Sequence, residues 1–456
     1  MRNKLDFRML RPGRLIPRLQ DAMAGGWYFP GDGLSRDRMN LLRYALVNNV
    51  IANLVGGNYF TGLLLLMNAD DNFIGLTSMI PLAANLVYLF GPPIIERFTR
   101  RKNFLIAFHF MALVMNTLMI SIIPFMPIAQ QARLTLVALA LIVVNCTNAI
   151  IGPGISMWHL QFLPKEVRAG YFSSQSMGVA VLVAIATMGA SALVDAFKAH
   201  GSEITGIMVV RGMAVALVLL DAFLLLRMRE YPYAASGERI RLTDVFTKPV
   251  KDRIYMRTVI IAVLYGFAVN IPSSFYTVYL LQNVKVGYTY ITALSLLNIP
   301  CMIVFTPLWR KFIGRTGSWF KMIQVAMTGY LFNYILLALV TPANYAYMYP
   351  LAMLVAYPFN AGLALGFANE LYINMPSENG TLYSAFHTVA YSASAFLGVT
   401  VSRAIMQHTE GVVLNILGMP MINKQFYLLV AAAVMGVSSV VIFFLRRNLA
   451  KEGYDS

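Results

Sequence analysis

Long apolar segments recur along the whole chain, separated by short polar ones. Each is close to the roughly 20 residues that an α-helix needs to cross a bilayer. A β-barrel would show short alternating strands instead, and a membrane interior admits only these two solutions because backbone polar groups must be satisfied internally. We predict twelve transmembrane helices, at 41–67, 73–95, 104–126, 134–157, 171–197, 204–226, 258–281, 288–312, 320–340, 345–367, 386–405 and 426–445.

The longest polar interval, 227–257, divides these helices six and six. We therefore predict a basic leader at 1–40, a first six-helix bundle at 41–226, a central loop at 227–257, a second bundle at 258–445 and a tail at 446–456. The leader is basic and broken by prolines rather than apolar, so it does not resemble a cleavable signal peptide.

The two halves of the chain repeat. A shift of 212 residues lays Asn148 over Asn360, Pro164 over Pro376 and Tyr171 over Tyr383, and shifts of about 216 to 219 align the earlier spans. Hydrophobicity alone does not select matching asparagine, proline and tyrosine. Because each half starts and ends on the same side, the predicted fold is an all-α polytopic membrane protein whose bundles are related by a pseudo-twofold axis along the membrane normal.

Composition and charge agree with a membrane location. The 456 residues are 58% hydrophobic and only 12% charged, which implies a lipid-facing surface. The net charge is +16, and 30 of the 36 lysines and arginines fall on the face that holds both chain ends. The positive-inside rule therefore predicts that both termini are cytoplasmic. We expect a plasma membrane protein whose basic charge contacts membrane lipids rather than nucleic acid.

The loop after the second span carries a recognisable motif. Residues 91–102 read Gly-Pro-Pro-Ile-Ile-Glu-Arg-Phe-Thr-Arg-Arg-Lys. This resembles the cytoplasmic loop of the major facilitator superfamily, in which a glycine precedes Asp-Arg, a second glycine and a basic cluster. Here Glu96 replaces the aspartate, Thr99 replaces the second glycine, and Gly91 lies one residue upstream. The corresponding loop at 309–317 is a weaker copy.

The resemblance implies a cytoplasmic latch built from this loop. Its acid would pair with a neighbouring helix end and its arginine with an acid of the same half, roles that fall on Glu96 and Arg97, with Arg100 beside them. Glu166 and Arg168, in the loop between spans four and five, are the expected partners. The alternative is that the basic cluster only enforces topology.

In the resembled fold, spans 1, 4, 7 and 10 line a central cavity. Each of these spans here has an asparagine about halfway across: Asn53, Asn148, Asn270 and Asn360. A buried carboxamide has two donors and two acceptors and is costly to leave unpaired in hydrocarbon. We predict a substrate site from these asparagines together with Asn49, Asn145 and Tyr276.

An alternative is that the asparagines hydrogen-bond between helices and hold the bundles together. Pro153 and Pro272 interrupt two of the same spans, and they are either gating points or static kinks. Charged residues within the spans are few. We expect Asp221 and His387 as the candidate coupling residues, although the absence of a midspan carboxylate on the cavity spans weakens the case for proton coupling.

The predicted function is secondary active transport of a small uncharged polar or amphipathic solute by alternating access. A proton or a sodium ion is the candidate coupling ion, and uniport without an ion is the alternative. We expect a monomer without cofactor or metal. A flippase or exporter of the same fold for lysolipid or a drug-like amphiphile is one alternative, and a non-transporting membrane sensor or membrane enzyme is another. No metal-binding or phosphate-binding motif supports an enzyme.

Overall fold

A computed structural model describes residues 27–28, 33–95, 98, 100–230, 242–273, 275–370, 373–375, 380–416 and 419–452. We number its long helical rods α1 to α12. In the first half these are α1 (Gly33–Val55, then Gly57–Leu66), α2 (Asp71–Ala84, continued by the 3-10 segment Asn85–Phe90 and the turn Gly91–Ile95), α3 (Lys102–Val114, the π-helical Met115–Met119, then Ile120–Ile122 and Ile123–Phe125), α4 (Gln130–Leu160), α5 (Lys165–Ala199) and α6 (Glu203–Arg227).

A linker helix, Leu242–Lys251, lies between the halves and packs on α7 and α11. The second half contains α7 (Arg253–Asn270, resumed by Tyr276–Val278 and the π-helical Tyr279–Val284), α8 (Tyr288–Leu296 and Asn298–Thr316), α9 (Trp319–Ala338), α10 (Tyr345–Glu370), α11 (Gly380–His408), the antiparallel hairpin β1 (Val413–Ile416) and β2 (Met419–Ile422), and α12 (Asn423–Lys451).

These rods confirm a polytopic helical fold. Within the described ranges, eleven helices are long and apolar enough to cross a membrane, and the remaining rod, α9, has 20 residues. Several rods extend past the predicted spans because hydropathy detects only the apolar part of a helix. Thus α1 begins at Gly33 and α10 runs to Glu370. Arg38, assigned to the leader, is buried and donates to the carbonyl of Phe162 at 2.8 Å.

The rods pack as two groups. In the first bundle, α1 packs on α5 and α6, and α4 packs on α2 and α3. In the second bundle, α9 packs on α10 and α12, and α7 packs on α11 and α12. Contacts between the bundles come from α2 with α11, α5 with the first segment of α8, and the outer segments of α1 and α7.

Hydrogen bonds at the helix ends define two faces. The Lys102 ammonium at the start of α3 donates to the carbonyl of Leu226 at the end of α6, at 2.8 Å. The side chain of Gln130 at the start of α4 donates to the carbonyl of Asn68 after α1, also at 2.8 Å. We call the face where α1 begins and α12 ends the terminal face, and the opposite one, which carries β1 and β2, the hairpin face.

Two rods are interrupted at equivalent points of the two halves. In α1 the break is at Gly56, followed by Gly57 with φ +51°, a conformation that glycine adopts without steric cost. In α7 the helix stops at Asn270 and resumes at Tyr276, across the Pro272 that the sequence marked. The break in α1 comes three residues after Asn53, and the break in α7 directly follows Asn270.

Candidate functional site

The asparagines of α1 lie on a stretch of helix that exposes no large apolar side chain. Asn53 is exposed and Asn49 half-buried, and between residues 33 and 65 the structure exposes no large hydrophobic side chain. A helix facing lipid would expose several. This stretch of α1 therefore borders a polar space rather than the lipid.

The asparagines of α4 occupy a similar face. At 3.6 residues per turn, Asn145, Asn148, Gly152 and Ser156 share one side of the helix. The exposed large hydrophobics on this helix are centred on another side, at Leu139, Ile142, Val143 and Met157. Asn148 is exposed and has no hydrogen bond to any described residue, so its amide is available to a ligand.

Most of the site asparagines bond their own helix. The side-chain amides of Asn49, Asn53, Asn145 and Asn270 each donate, at 2.8 Å, to the carbonyl four residues earlier. In the described ranges no hydrogen bond reaches the side-chain oxygens of Asn49, Asn53 and Asn145. These oxygens can accept from a solute without loss of an existing bond.

In the second bundle, more of the predicted site residues interact with a residue on another helix. The amide of Asn360 donates across helices to the side-chain oxygen of Asn298 on α8, at 3.2 Å. Asn270 lies within hydrogen-bonding reach of Tyr391 on α11. The hydroxyl of Tyr276 donates to the hydroxyl of Tyr349 on α10, at 2.9 Å. Helix-to-helix bonding therefore describes Asn360 and Tyr276, whereas Asn53 and Asn148 remain open.

Most polar contacts between the bundles lie on the hairpin face. The Asp195 carboxylate at the end of α5 accepts the amide hydrogens of Tyr288 and Thr289 at the start of α8, at 2.9 and 2.7 Å. The Tyr288 hydroxyl bonds Glu203 at 2.9 Å. The ammonium of Lys424 lies 3.1 Å from Asp71. We call Asp195, Tyr288, Thr289 and Glu203 the α5–α8 clasp.

Other hydrogen bonds between the two bundles also lie on the hairpin face. Ser191 and Thr292 share a hydrogen bond of 2.7 Å, Arg403 donates to Asn72, and Thr277 of α7 donates to Asn58 of α1 at 3.4 Å. Nearer the terminal face, the described residues give one side-chain hydrogen bond between the bundles, from Asn85 to Ser392 at 3.3 Å. Among the described residues, polar contacts between the bundles are thus numerous on the hairpin face and few on the terminal face.

Each bundle also buries one carboxylate beside a histidine. In the first, Asp221 of α6 lies 3.0 Å from Nε2 of His109 on α3, and Asn48 of α1 donates to its other oxygen at 3.3 Å. In the second, Glu370 of α10 lies 2.6 Å from Nε2 of His387 on α11. The sequence singled out Asp221 and His387, but it missed Glu370, the acid that ends α10 just past the apolar segment.

The structure describes only some of the residues predicted for the cytoplasmic latch. Glu96, Arg97 and the side chain of Glu166 lie outside the described residues, so the latch stays a prediction. Arg100 is exposed, and the guanidinium of Arg168 donates to the carbonyl of Leu163 at 2.7 Å.

An acid that the sequence analysis did not single out binds the backbone where this loop leads into α3. Glu230, which follows α6, accepts the backbone amides of Arg101 and Lys102 at 2.5 and 2.9 Å and so satisfies the start of α3. A carboxylate at a helix N-terminus is favoured by the helix dipole. A lone acid just after a span is the sequence signal that would have pointed to Glu230.

Comparisons with known proteins identify the family. Among solved structures, that of the nucleoside transporter NupG has a TM-score of 0.65 at 12% identity, covering 91% of this chain and 99% of that one. A bacterial homologue of the human lysosomal transporter Spinster, inward-facing and unoccupied, gives 0.64 at 14%, covering 93% and 99%. A POT family transporter in complex with 5-aminolevulinic acid gives 0.66 at 11%, covering 93% and 99%.

Identities this low show a shared fold alone. No curated protein matches the chain. The family model described as Major Facilitator Superfamily, however, matches residues 45–399, well over half of the 456 residues. The chain therefore belongs to the major facilitator superfamily of membrane transporters.

Proposed function

We propose that this protein is a secondary active transporter that moves a small uncharged polar or amphipathic solute by alternating access. The observation that carries the proposal is the uneven distribution of polar contacts between the bundles, which among the described residues are numerous on the hairpin face and few on the terminal face. Such a molecule is open toward one side of the membrane. The terminal face carries most of the positive charge, which favours a cytoplasmic location for it. With this orientation, the conformation is inward-facing.

The breaks in α1 and α7 support the same mechanism. They separate the segments that carry Asn53 and Asn270 from the outer segments that meet between the bundles. A discontinuous helix can move at its break, and its freed backbone groups can bind a ligand where they line a cavity. Opening of the hairpin face would separate the outer segments while the asparagines stay near the middle of the helices.

The solute class follows from the open amides. Asn49, Asn53, Asn145 and Asn148 have side-chain oxygens that accept no hydrogen bond from the described residues, and the exposed positions beside Asn53 on α1 are the small residues Ala52 and Gly57. A neutral polar solute satisfies such groups without a charged partner. A lipid or drug-like amphiphile is less favoured, because α1 exposes no large apolar side chain between residues 33 and 65.

Transport assays test the proposal directly. The purified protein in vesicles is supplied with a panel of neutral polar solutes, including nucleosides, with and without a proton or a sodium gradient. Uptake of at least one solute that saturates with concentration is expected, and protein-free vesicles serve as the control. Absence of saturable uptake and of exchange for the whole panel in either orientation would contradict the proposed function and favour a sensor or a membrane enzyme.

A further inference from the structure

Glu370 is a fully enclosed carboxylate with one unpartnered oxygen. Its side chain is 0% exposed, and its oxygen Oε2 meets Nε2 of His387 at 2.6 Å. Its other oxygen, Oε1, is buried and has no hydrogen-bond partner among the described residues. A buried carboxylate with an orphan oxygen is costly to keep charged, unless a proton or another cation is close.

The pair in the first bundle differs in this respect. Asp221 uses both oxygens, one toward His109 and the other toward Asn48. All three residues belong to the first bundle, on α6, α3 and α1. That arrangement is a completed polar network, which is typical of a group that stabilises helix packing. The incomplete pair is therefore the better candidate for reversible binding.

The histidine is the more exposed member of the pair. The His387 side chain is 13% exposed while Glu370 is fully enclosed. An imidazole that shares a proton with a buried carboxylate and also contacts water can exchange that proton with solution. Of the ionisable groups around the pair, Tyr255 on α7 lies near Glu370, while Tyr383 on α11 and Asp252, which caps α7, lie beside Tyr255. The described surroundings add no cation.

The pair is also well placed to sense the conformation of the bundles. Glu370 lies on α10, ten residues after Asn360, which is about 15 Å along the helix. His387 lies on α11, the helix of the second bundle that packs on α2 of the first. Ser392, just over one turn beyond His387, accepts the bond from Asn85 across the bundle boundary. A rocking motion that moves α2 against α11 would change the access of His387 to water.

We propose that Glu370 and His387 form the proton-binding site of this protein and that the proton is the coupling ion. The coupling step rests on the proposed function, whereas the proton-binding site is independent of it. In the protonated state the pair is electrically balanced and the bundles can exchange conformation. In the deprotonated state Glu370 carries an unbalanced buried charge, which hinders the exchange. A sodium ion fits less well, since a hard cation prefers several oxygen ligands to one carboxylate and an imidazole nitrogen.

Proton binding can be measured without a known solute. An acid–base titration of the purified full-length protein in lipid nanodiscs, followed by infrared difference spectroscopy, reports the carbonyl stretch of a protonated buried carboxyl group. We expect a titrating band in the wild type that is lost in Glu370→Gln and is shifted in His387→Gln. Glu410→Gln, which removes an exposed carboxylate on the hairpin face, should leave the band intact. An unchanged band in Glu370→Gln would overturn the assignment.

Coupling is tested separately with a solute from the panel. Glu370→Gln should abolish accumulation driven by a proton gradient while solute exchange at equal pH continues, and replacing sodium by choline should have no effect on the wild type. Gradient-driven accumulation at the wild-type level in Glu370→Gln, or dependence on sodium, would refute proton coupling through this pair. If the panel yields neither uptake nor exchange, the proposed function fails, and the titration still decides whether the proton site exists. Glu370→Asp, which keeps a titratable group, controls for misfolding.

Discussion

The carboxylate of Asp195, in the first bundle, accepts the amide hydrogen of Tyr288, in the second, at 2.9 Å. It also accepts the amide hydrogen of Thr289, so one side chain caps the first turn of α8 across the bundle boundary. The positive end of a helix favours a carboxylate there. The α5–α8 clasp thus uses a local capping interaction to hold two bundles together, and it must break if the hairpin face opens.

Asp195→Ala should shift the protein toward a state open on the hairpin face. Loss of the two hydrogen bonds to a charged acceptor weakens closure by about 2 kcal/mol, or roughly thirtyfold in the ratio of the two states. Distances between spin labels at the exposed Gln131 and Glu410 measure the shift. Asp70→Ala is the matched control, because Asp70 caps α2 within a single bundle. Equal distance distributions in Asp195→Ala and wild type would exclude the clasp as a gate.

Asn148→Ala should weaken solute binding without loss of stability. Its amide is exposed and has no hydrogen bond to the described residues, so the substitution removes no hydrogen bond that they make in the folded protein. Removal of one hydrogen bond to a neutral solute raises KM about three- to tenfold. Thr135→Ala, an exposed change near the hairpin face of α4, should leave KM unchanged. The concentration dependence of uptake decides, and an unaltered KM in both variants would remove Asn148 from the site.

Asn360→Ala should instead act on stability as well as on transport. It leaves the side-chain oxygen of Asn298 without its donor, a loss of about 1 kcal/mol. Thermal unfolding of the purified protein should show a lower midpoint than that of Asn148→Ala. A midpoint equal to the wild type together with a raised KM would show that Asn360 serves the solute and that its bond to Asn298 is dispensable.

Gly398→Ala should destabilise the second bundle. A Cβ atom at this position would lie 2.5 Å from the backbone carbonyl oxygen of Phe267, where α11 and α7 approach closely. Relief requires the helices to move apart, at about 1 to 3 kcal/mol. Gly189→Ala is the control, since nothing lies within 4 Å of its added Cβ. Comparable midpoints for the two alanine variants in a thermal unfolding assay would contradict the close approach.

Arg211→Met should be strongly destabilising. This fully buried guanidinium on α6 donates to Ser121 at 2.6 Å and to the carbonyls of Val55 and Asn116 at 3.2 and 2.5 Å. Those carbonyls lie at the break in α1 and in the π-helical turn of α3, where helical hydrogen bonds are interrupted. Orphaning two or three buried acceptors is expected to cost about 3 kcal/mol or more.

The yield of monodisperse protein and its thermal midpoint measure the effect of Arg211→Met. Arg133→Met removes an arginine that bonds backbone carbonyls near the surface, and it should be tolerated. If Arg211→Met were as stable as Arg133→Met, the role of Arg211 in holding the two helix irregularities would be refuted.

Sequence patterns predicted the helices because crossing a bilayer is a local requirement. One continuous apolar segment must satisfy its own backbone, so each span can be recognised without its neighbours. Helix ends were less predictable. Helix α10 ends at Glu370, three residues after its predicted apolar segment, and α1 begins at Gly33, eight residues before its own. Polar residues at helix ends can remain helical when a neighbouring helix partners them. The latch of Glu96 and Arg97 stays a prediction.

The chain by itself therefore determined a membrane protein of the major facilitator type and the set of asparagines on four spans. Of the two prolines that it marked, Pro272 lies in a break of α7, whereas α4 continues through Pro153. Only the tertiary structure decided which of these amides are open and which bond across helices. It also paired Glu370 with His387, which are 17 residues apart on different helices, and Asp195 with the start of α8. Hydropathy depends on neighbours in the chain, whereas the partner of a buried polar group depends on which helices pack together.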